Sequence, residues 1–395
     1  MKYDNVAVPI GAVWSSPFVR WQGALADVSS IDLAEAVTDR ALAGRSIELD
    51  IIDELVLGIT IPQQGSFFAP PTLAARLGMQ GVTGPMVSQA CATGVAALHA
   101  AATSVQCAGN GVKLVVTTDR TSNGPNLVYP STRATGGSPT IENVVQDNFA
   151  RDPWACTSML DAAEIVAAEQ GVERTELDDI AALRYEQYQR ALADDRAFQR
   201  EYLVDVVVGG GKKSVTVSED DGIRPIDRDR IAKLPTAGVG AVHTGATQTH
   251  PADGTAGAIV TTTQRARELS GSGVIEILAT GFARVAASHM PEAPVPAAMA
   301  ALADAGLGLD QVDAVTTHNP FAVNDVLFAR QTGWNLSRMN AYGCSLIWGH
   351  PQAPTGIRAI AELVTELTRR GGGTGLFTGC AAGDTAGALV IRVRD

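Results

Sequence analysis

The sequence predicts an α/β fold made of two similar strand–helix halves, with an unrelated segment inserted between them. Two Thr-Gly pairs, starting at Thr93 and Thr355, lie 262 residues apart and precede stretches of helical composition, AALHAAATSV and RAIAELVTEL. A strand-like apolar run follows each helix at the same offset, with Leu114 in the first run and Leu376 in the second. This agreement in order and spacing indicates a duplicated strand–helix–strand unit.

The predicted strands follow from local composition. The run GVKLVVTT at 111–118 predicts a buried strand, because it is short, rich in β-branched residues and opened by a glycine. The run GLFTG at 375–379 has a similar character. Two further β-rich runs, at 51–60 and 311–320, each open with apolar residues and an Asp. A third match is the pair Asp53 and Asp313, which lie 260 residues apart, as a two-residue insertion would explain. The alternative is coincidence among common Ala, Gly and Thr residues, which would have to agree in order and spacing at these three places.

Residues 120–250 have no counterpart in the second half and are interpreted as an excursion from the first. Their first part is rich in Asn, Gly, Ser and Pro, and a later helix is predicted to open with the capping-box pair Thr175 and Asp178. The stretch GGGKKSVTVSEDDG at 209–222 predicts a hairpin or loop. The predicted domains are an N-terminal half (1–119 with 251–271), a loop domain (120–250) and a C-terminal half (272–395).

Composition excludes several classes of function. The formal net charge of −12 argues against a nucleic-acid surface, which needs a basic stripe, but not against a small anionic ligand in a local basic pocket. Apolar runs are interrupted well before ~18 residues, so no membrane span is expected. The first residues lack the pattern of a signal peptide. Five scattered cysteines do not suit a structural zinc site and fit a reducing cytoplasm.

Cys91 lies where a strand-like stretch, VSQA, changes to a helical one. A thiol at the start of a helix meets exposed N–H groups and the helix dipole, which favour the nucleophilic thiolate. The alternative is a buried cysteine that fills a gap, as most free cysteines do. Repeat symmetry places His350 near the start of the second helix and Cys380 at the end of the following strand. A nucleophile, a base and a second thiol can then share one pocket.

Four motifs in order resemble the thiolase family along nearly the whole chain. They are CATG at 91–94, TQTHPADGTAGAIV at 247–260, GHPQAPTGIR at 349–358 and TGCAAGDTAGALV at 378–390. The resemblance implies a five-layered αβαβα core with an inserted loop domain that binds coenzyme A. It also implies a homodimer or homotetramer.

The resemblance assigns roles to individual residues. It implies that Cys91 carries the acyl group, that His350 activates Cys91 and that Cys380 is the acid/base. Thr249 matches a serine that contacts pantetheine, and Arg224 matches an arginine near the adenine. A turn residue and a solvated surface charge are the respective alternatives. Coenzyme A is therefore the expected co-substrate, and no tightly bound cofactor or metal is expected.

Two positions depart from the family pattern. Most thiolases carry Asn-Glu-Ala-Phe where this chain has HNPF, so His318 stands at a catalytic asparagine and Asn319 at a glutamate. Thiolases linked to sterol carriers also carry histidine there, and His318 is expected to donate to an oxyanion directly or through water. A hydrogen-bonded core histidine is the alternative. Ala382 replaces a glycine, and its N–H, with that of Cys91, is expected to form the other oxyanion site if its φ is negative.

The implied reaction is ping-pong acyl transfer, in which coenzyme A cleaves a 3-ketoacyl-CoA or the reverse condensation occurs. A decarboxylating ketoacyl synthase shares the fold and uses a Cys-His-His triad, which Cys91, His318 and His350 satisfy. Such enzymes lack the second reactive cysteine, so Cys380 favours a thiolase. A non-catalytic acyl-CoA-binding subunit is a further alternative. The expected partners are acyl-CoA and CoA, with no nucleic acid or membrane, in the cytoplasm.

Overall fold

The computed structural model describes residues 1–133, 135–209 and 214–394. The strands are β1 (Ala7–Pro9), β2 (Val13–Ser15), β3 (Val19–Arg20), β4 (Glu54–Gly58), β5 (Met86–Val87), β6 (Val112–Arg120), β7 (Asn126–Tyr129), β8 (Thr140–Asn143), β9 (Val206–Val208), β10 (Val215–Val217), β11 (Ala252–Thr261), β12 (Val274–Arg284), β13 (Ala314–His318), β14 (Gly373–Ala381) and β15 (Thr385–Arg394). The helices are α1 (Ser30–Gly44), α2 (Ala69–Arg76), α3 (Thr93–Ala108), α4 (Gln146–Ala150), α5 (Met159–Glu169), α6 (Arg174–Ala191), α7 (Ala193–Arg196), α8 (Arg228–Ile231), α9 (Thr263–Ser270), α10 (Pro294–Ala305), α11 (Ala322–Thr332), α12 (Ser345–Trp348) and α13 (Pro354–Arg369).

One large mixed sheet runs through both halves of the chain. Its strand order is β13-β14-β15-β12-β1-β11-β6-β4-β5, and β2 and β3 also pair with β11. The halves are joined by β1, which is hydrogen-bonded to β11 of the first and to β12 of the second. Strands β6 and β11 are buried along their whole length, which explains their runs of apolar and small residues. The predicted α/β class is confirmed.

Strand pairing repeats between the halves at the offsets found in the sequence. In the first half β4 and β6 run parallel, with Leu55 opposite Leu114. In the second half β13 and β14 run parallel, with Val315 opposite Leu376. An antiparallel strand then completes each unit, β11 beside β6 and β15 beside β14. The duplication is therefore confirmed, and coincidence does not explain it.

Helices α3 and α13 form a central layer between the halves. Each is 16 residues long, and each packs against strands from both halves. A Cβ on Gly94 would lie 3.0 Å from the carbonyl oxygen of Ala353, so the two helix starts cross in a contact that favours glycine. Helix α1 packs on β6 and β11, and α10 packs on β12 and β15. These packings complete the αβαβα arrangement.

The inserted residues 120–250 contain the β7–β8 and β9–β10 pairs and helices α4 to α8. The hairpin predicted at 209–222 is present where Val215–Val217 pairs with Val206–Val208, while residues 210–213 lie outside the described residues. No helix in the described ranges is long and apolar enough to cross a membrane.

The predicted capping box at the start of α6 is wrong by two residues. The helix begins at Arg174, where the Glu176 carboxylate accepts from the Glu173 N–H at 3.0 Å and the Glu173 carbonyl accepts from the Glu176 N–H at 3.1 Å. Glu173 has extended backbone, and only the side chain of Glu176 makes the reciprocal bond of a capping box. The pattern of Thr175 and Asp178 lies within the helix instead.

Candidate active site

The turn before α3 positions Cys91 by placing its neighbour in a left-handed conformation. Ala90 has φ of 44°, and Cys91 and Ala92 lead directly into the helix at Thr93. The Thr93 hydroxyl fastens the turn, because it donates to the Ala90 carbonyl at 2.7 Å and accepts from the Gln89 N–H at 2.8 Å. A left-handed alanine costs conformational energy, so this backbone is held by its surroundings.

The crossing of the two helices brings His350 to Cys91. The distance from His350 Nε2 to Cys91 Sγ is 3.0 Å, and both side chains are buried. On the other side of the ring, Nδ1 lies 2.6 Å from the Thr355 hydroxyl. When Nδ1 carries the proton and donates to Thr355, Nε2 is the acceptor that can take the thiol proton.

Burial keeps this resting pair neutral. Burial raises the pKa of Cys91 to about 12, although the N–H groups of Ala382 and of Cys91 itself hydrogen-bond the sulfur and act in the opposite direction. Burial also lowers the pKa of His350 to about 3. The expectation of a thiolate stabilised by the helix start is therefore not met in the resting site, because desolvation outweighs the N–H groups. A thiol in this environment keeps its proton until a neighbouring base takes it.

His318 stacks against His350 at the end of β13. Their ring centroids are 4.1 Å apart with an interplanar angle of 29°. His318 Nδ1 lies 2.8 Å from Ser345 Oγ, and its buried Nε2 has no hydrogen-bond partner among the described residues. Burial, followed by the neighbouring His350, lowers the pKa of His318 well below the usual range, so the ring is neutral. Cys91, His318 and His350 each place one ligand-capable atom within 4.8 Å of the others.

Cys380 is a second buried thiol at the end of β14. Asn324 Nδ2 donates to its sulfur at 3.4 Å. Burial raises the pKa of Cys380 well above its usual range, and a negative charge on Cys91 would raise it further. The sulfur is thus a proton donor unless a nearby group removes its proton.

Ala382 meets the condition set by the sequence. It is absent from the non-glycine residues with positive φ in the described chain, so alanine can replace glycine there without backbone strain. Its N–H makes a hydrogen bond to the Cys91 sulfur.

Two cavities adjoin this cluster. The inner cavity has a volume of about 250 Å³, and its lining includes Cys91, His350 and Thr249. The outer one, of about 690 Å³, is lined by Arg224. Gln248 and Pro251 line both cavities and mark where they meet. The Thr249 hydroxyl donates to the carbonyl oxygen of Ser345.

Arg358 ties the second helix to the inserted segment. Its guanidinium makes a bidentate, fully buried ion pair with Asp220 at 2.5 and 2.7 Å. The same group lies over the rings of Phe18 and Trp348, at 4.7 and 4.3 Å from their centroids. This paired charge holds Asp220 next to α13, and with it residues 221–224, which line the outer cavity.

Family models match almost the whole chain. The one described as "Thiolase, N-terminal domain" covers residues 8–264, and "Thiolase, C-terminal domain" covers residues 273–393. The chain belongs to the thiolase family. The resemblance of the four sequence motifs is thereby confirmed.

Individual relatives of this thiolase are distant but similar in length. It is 27% identical over 378 residues to an acetyl-CoA acetyltransferase of Pseudomonas aeruginosa, covering 94% of this chain and 95% of that protein. The crystal structure of human mitochondrial 3-ketoacyl-CoA thiolase superposes with a TM-score of 0.90 at 23% identity, covering 98% of each chain. The same human thiolase in complex with CoA gives a TM-score of 0.89 at 23% identity, covering 99% of this chain and 98% of that one. The likeness confirms the fold.

Several residues at this thiolase site were missed by sequence reasoning. Gln352 has φ of 68°, and its Oε1 lies 3.2 Å from the Cys91 sulfur. Asp119, at the end of β6, accepts from the Ala353 N–H at 2.9 Å and holds the turn before α13. A Cβ on Gly379 would lie 2.6 Å from His318 Cβ, so this glycine makes room for the imidazole. Gln352 and Gly379 lay inside recognised motifs, but the motifs gave no signal that the glutamine side chain faced the nucleophile or that the glycine made room for His318.

Proposed function

We propose that this thiolase is an acyltransferase that uses coenzyme A to cleave a 3-ketoacyl-CoA, and that catalyses the reverse condensation through an acyl group on Cys91. The observation that carries the proposal is the 3.0 Å contact of His350 with the Cys91 thiol, beside a second buried thiol, Cys380. A nucleophile needs one base, whereas carbon–carbon cleavage also needs an acid for the departing carbanion.

In the cleavage direction, Cys91 Sγ bonds to the keto carbon of the substrate while His350 takes the thiol proton. The bond between the keto carbon and the adjacent α-carbon then breaks, and its electron pair leaves as the enolate of acetyl-CoA. Cys380 gives its proton to that α-carbon. The thiol of coenzyme A next gives its proton to the Cys380 thiolate and attacks the acyl-enzyme. The shortened acyl-CoA leaves, and His350 returns its proton to the Cys91 sulfur.

Condensation runs the same steps in reverse. Cys380 must remove an α-proton from acetyl-CoA, although its pKa is raised well above the usual range by burial. The stabilisation of the enolate therefore has to come from hydrogen-bond donors in the site. Removing one such donor typically costs about 10²–10³ in turnover, which indicates the size of their contribution.

Two sets of donors are available. A neutral His318 can donate from Nε2 when Ser345 donates to its Nδ1, and that nitrogen has no partner among the described residues. It can act directly or through a water, together with His350 in its protonated form, on the enolate oxygen. The N–H groups of Cys91 and Ala382 serve the oxygen of the acyl group on Cys91, where they already meet the sulfur. Fixed dipoles of this kind need no reorganisation during the reaction.

Coenzyme A fits the pair of connected cavities. The outer cavity of about 690 Å³ is lined by Arg20, Arg224 and Arg230, which suits the phosphates and adenine of the nucleotide. The pantetheine arm would pass Gln248 and Thr249 toward Cys91. On this proposal residues 120–250 act as the CoA-binding loop domain. The N-terminal half consists of residues 1–119 and 251–271, and the C-terminal half of residues 272–395.

The inner cavity favours an apolar acyl group. Its walls include Phe149, Met159, Leu160, Met290 and Phe321, and none of its described lining residues is an Asp, Glu, Lys or Arg. Pockets of this kind bind apolar groups and orient them with a few polar atoms. We therefore infer an uncharged acyl chain or branch next to the keto carbon.

A decarboxylating condensing activity is the second candidate. The convergence of Cys91, His318 and His350 within 4.8 Å favours it, because two neutral histidines beside the nucleophile can stabilise an enolate formed by loss of carbon dioxide. Such a reaction would not need the thiol of Cys380. Decarboxylation of malonyl-CoA that survives Cys380→Ser would support this candidate over the thiolase reaction.

A substrate panel tests the proposal. Purified enzyme would be mixed with coenzyme A and 3-ketoacyl-CoA esters of increasing length, and loss of the ketoacyl absorbance would be followed. We expect acetyl-CoA and the shortened acyl-CoA in equal amounts with at least one ester, and no turnover by Cys91→Ala. Binding of CoA without turnover of any ester would instead indicate a non-catalytic acyl-CoA-binding subunit.

The proposed assembly is a homodimer or homotetramer. Strand β5 ends the large sheet, and its Met86 is 49% exposed, which leaves an edge that a second copy can cover. Phe67 and Phe68 are 84% and 69% exposed, and Val128 and Ile141 of the β7–β8 hairpin are also exposed. Light scattering after size exclusion would distinguish the two states. A cytoplasmic location is proposed because none of the five cysteines, all within the described residues, forms a disulfide.

A further inference from the structure

Cys91, His318 and His350 form a set of ligands that suits a metal ion. One atom from each side chain lies within 4.8 Å of the other two, and all three side chains are buried. The group combines one thiol with two imidazoles, which is the ligand chemistry that Zn²⁺ prefers. The unpartnered, buried Nε2 of His318 is a second and independent sign, because a buried polar atom normally has a partner.

The outer ring nitrogens are held as they are around protein-bound zinc. His318 Nδ1 lies 2.8 Å from Ser345 Oγ, and His350 Nδ1 lies 2.6 Å from Thr355 Oγ1. When each Nδ1–H donates to its hydroxyl, each Nε2 presents a lone pair, and the hydroxyl fixes the plane of the ring. Both hydroxyls can donate as well as accept, so the same contacts are compatible with the tautomers used in catalysis.

Binding requires the three ligand atoms, which now lie within 4.8 Å of one another, to take tetrahedral spacing around the ion. Zinc bonds of about 2.0–2.3 Å at tetrahedral angles separate ligand atoms by about 3.3–3.6 Å. Cys91 Sγ and His350 Nε2 are 3.0 Å apart and would open slightly. Gln352 Oε1, 3.2 Å from the same sulfur, or a water can fill the fourth position.

We propose that Cys91, His318 and His350 bind one Zn²⁺ or a similar borderline-soft divalent cation, and that this ion blocks the nucleophile reversibly. The Cys91 S–H bond breaks, its proton leaves to solvent, and the sulfur and the two Nε2 atoms bond to the ion without any change of oxidation state. An ion bound there occupies the sulfur that would attack a substrate. The statement on blocking depends on the proposed function, whereas the binding itself does not.

Cobalt spectroscopy tests the binding without any need for turnover. Chelator-treated, fully reduced protein would be titrated with Co²⁺ and then with Zn²⁺. We expect one equivalent of Co²⁺ to give tetrahedral visible bands and a thiolate-to-cobalt band in the near ultraviolet, both displaced by Zn²⁺. The thiolate band should disappear in Cys91→Ser. Its persistence in that variant would place the metal at another cysteine, such as the exposed Cys107 or Cys156, and overturn the proposal.

The histidine variants give the sharper comparison. His318→Asn should weaken Zn²⁺ binding at least about tenfold, because a ligand is lost. His289→Asn is the matched control, since the His289 ring contacts Glu169 and does not line the inner cavity, and should leave the affinity unchanged. Equal Zn²⁺ affinity of His318→Asn and wild type, or no stoichiometric binding by wild type, would contradict the proposal.

A second measurement uses only the wild-type protein, so it does not depend on the folding of a variant. Iodoacetamide labelling of wild-type Cys91, read by peptide mass spectrometry, should slow at least about tenfold with one equivalent of Zn²⁺ and recover after chelation. Labelling of the exposed Cys107 provides the internal control. Unchanged labelling of Cys91 under zinc would overturn the proposal, whatever the outcome of the substrate panel.

Discussion

The turns that precede α3 and α13 have a similar backbone conformation but present different side chains. Ala90 and Gln352 occupy equivalent positions, 262 residues apart, and both have positive φ, at 44° and 68°. Neither is glycine, so the left-handed turn belongs to the duplicated architecture and not to one residue's preference. The first turn presents Cys91 and the second presents His350, whose counterpart is Ser88. The repeat builds the scaffold, and unlike side chains at related positions build the site.

The ends of the paired strands also differ between the halves, because the strand that carries the larger side chain is not the same in each. In the first half Gly58 lies opposite Thr117, and in the second His318 lies opposite Gly379. A Cβ on Gly58 would lie 2.8 Å from Thr117 Cγ2, and a Cβ on Gly379 would lie 2.6 Å from His318 Cβ. Each pair has room for only one side chain beyond glycine, and only in the second half is that side chain an imidazole.

The largest expected effect comes from replacing Cys380, whose counterpart Thr118 only donates to the Ser30 carbonyl. Cys380→Ser should lower turnover by about 10²–10⁴, because a hydroxyl is a much weaker acid and base. It should still accept an acyl group on Cys91 and should lose hydrogen–deuterium exchange at the methyl group of acetyl-CoA. Proton NMR of acetyl-CoA in deuterium oxide measures the exchange.

Thr118→Ser supplies the control for that prediction, since it makes a comparably small change at the equivalent strand position. It should exchange deuterium at the wild-type rate. Normal exchange by Cys380→Ser would show that the two strand ends do not differ in the way proposed.

The next effect concerns His318. His318→Ala should lower turnover by about 10²–10³, because one donor to the enolate oxygen is lost. His318→Asn should retain considerably more activity, since an amide can still donate. Turnover per folded active site, with the folded fraction from circular dichroism, is the measurement. If His318→Ala turns over like wild type on that basis and is merely less stable, the residue is a core histidine.

The smallest expected effect tests whether the glycine at position 379 is needed to make room for His318. Gly379→Ala should displace His318 and reduce turnover by about tenfold, while overpacking lowers the free energy of unfolding by about 1–3 kcal/mol. Gly375→Ala on the same strand meets Leu367 at 2.8 Å, away from the site. It should lose similar stability in urea denaturation and keep its turnover. Equal losses of turnover in both variants would refute a specific role for Gly379.

The sequence was sufficient to predict the duplication because strand pairing preserves residue offsets. The matches at Thr93 and Thr355 mark the two helix starts, and Leu114 and Leu376 take equivalent places in the sheet. The convergence of Cys91 with a histidine also followed from symmetry. These features depend on order along the chain, which a sequence displays directly.

Other features depend on three-dimensional packing and left no pattern. Gln352 faces the Cys91 sulfur because a left-handed turn directs it there, and Asp119 reaches the Ala353 N–H across the helix crossing. The protonation state of Cys91 was also mispredicted, because burial cannot be read from a helix start. Burial decides the pKa there, and burial is a property of the assembled layers.

Acylation of Cys91 is the measurement that tests the central claim most directly. The enzyme would be incubated with an acyl-CoA in the absence of free coenzyme A, quenched in acid, digested and examined by mass spectrometry. We predict one acyl group on the peptide that contains Cys91, removed when coenzyme A is added before the quench. An acyl group confined to the peptide of Cys380 or Cys344, or no acyl group at all, would contradict the account.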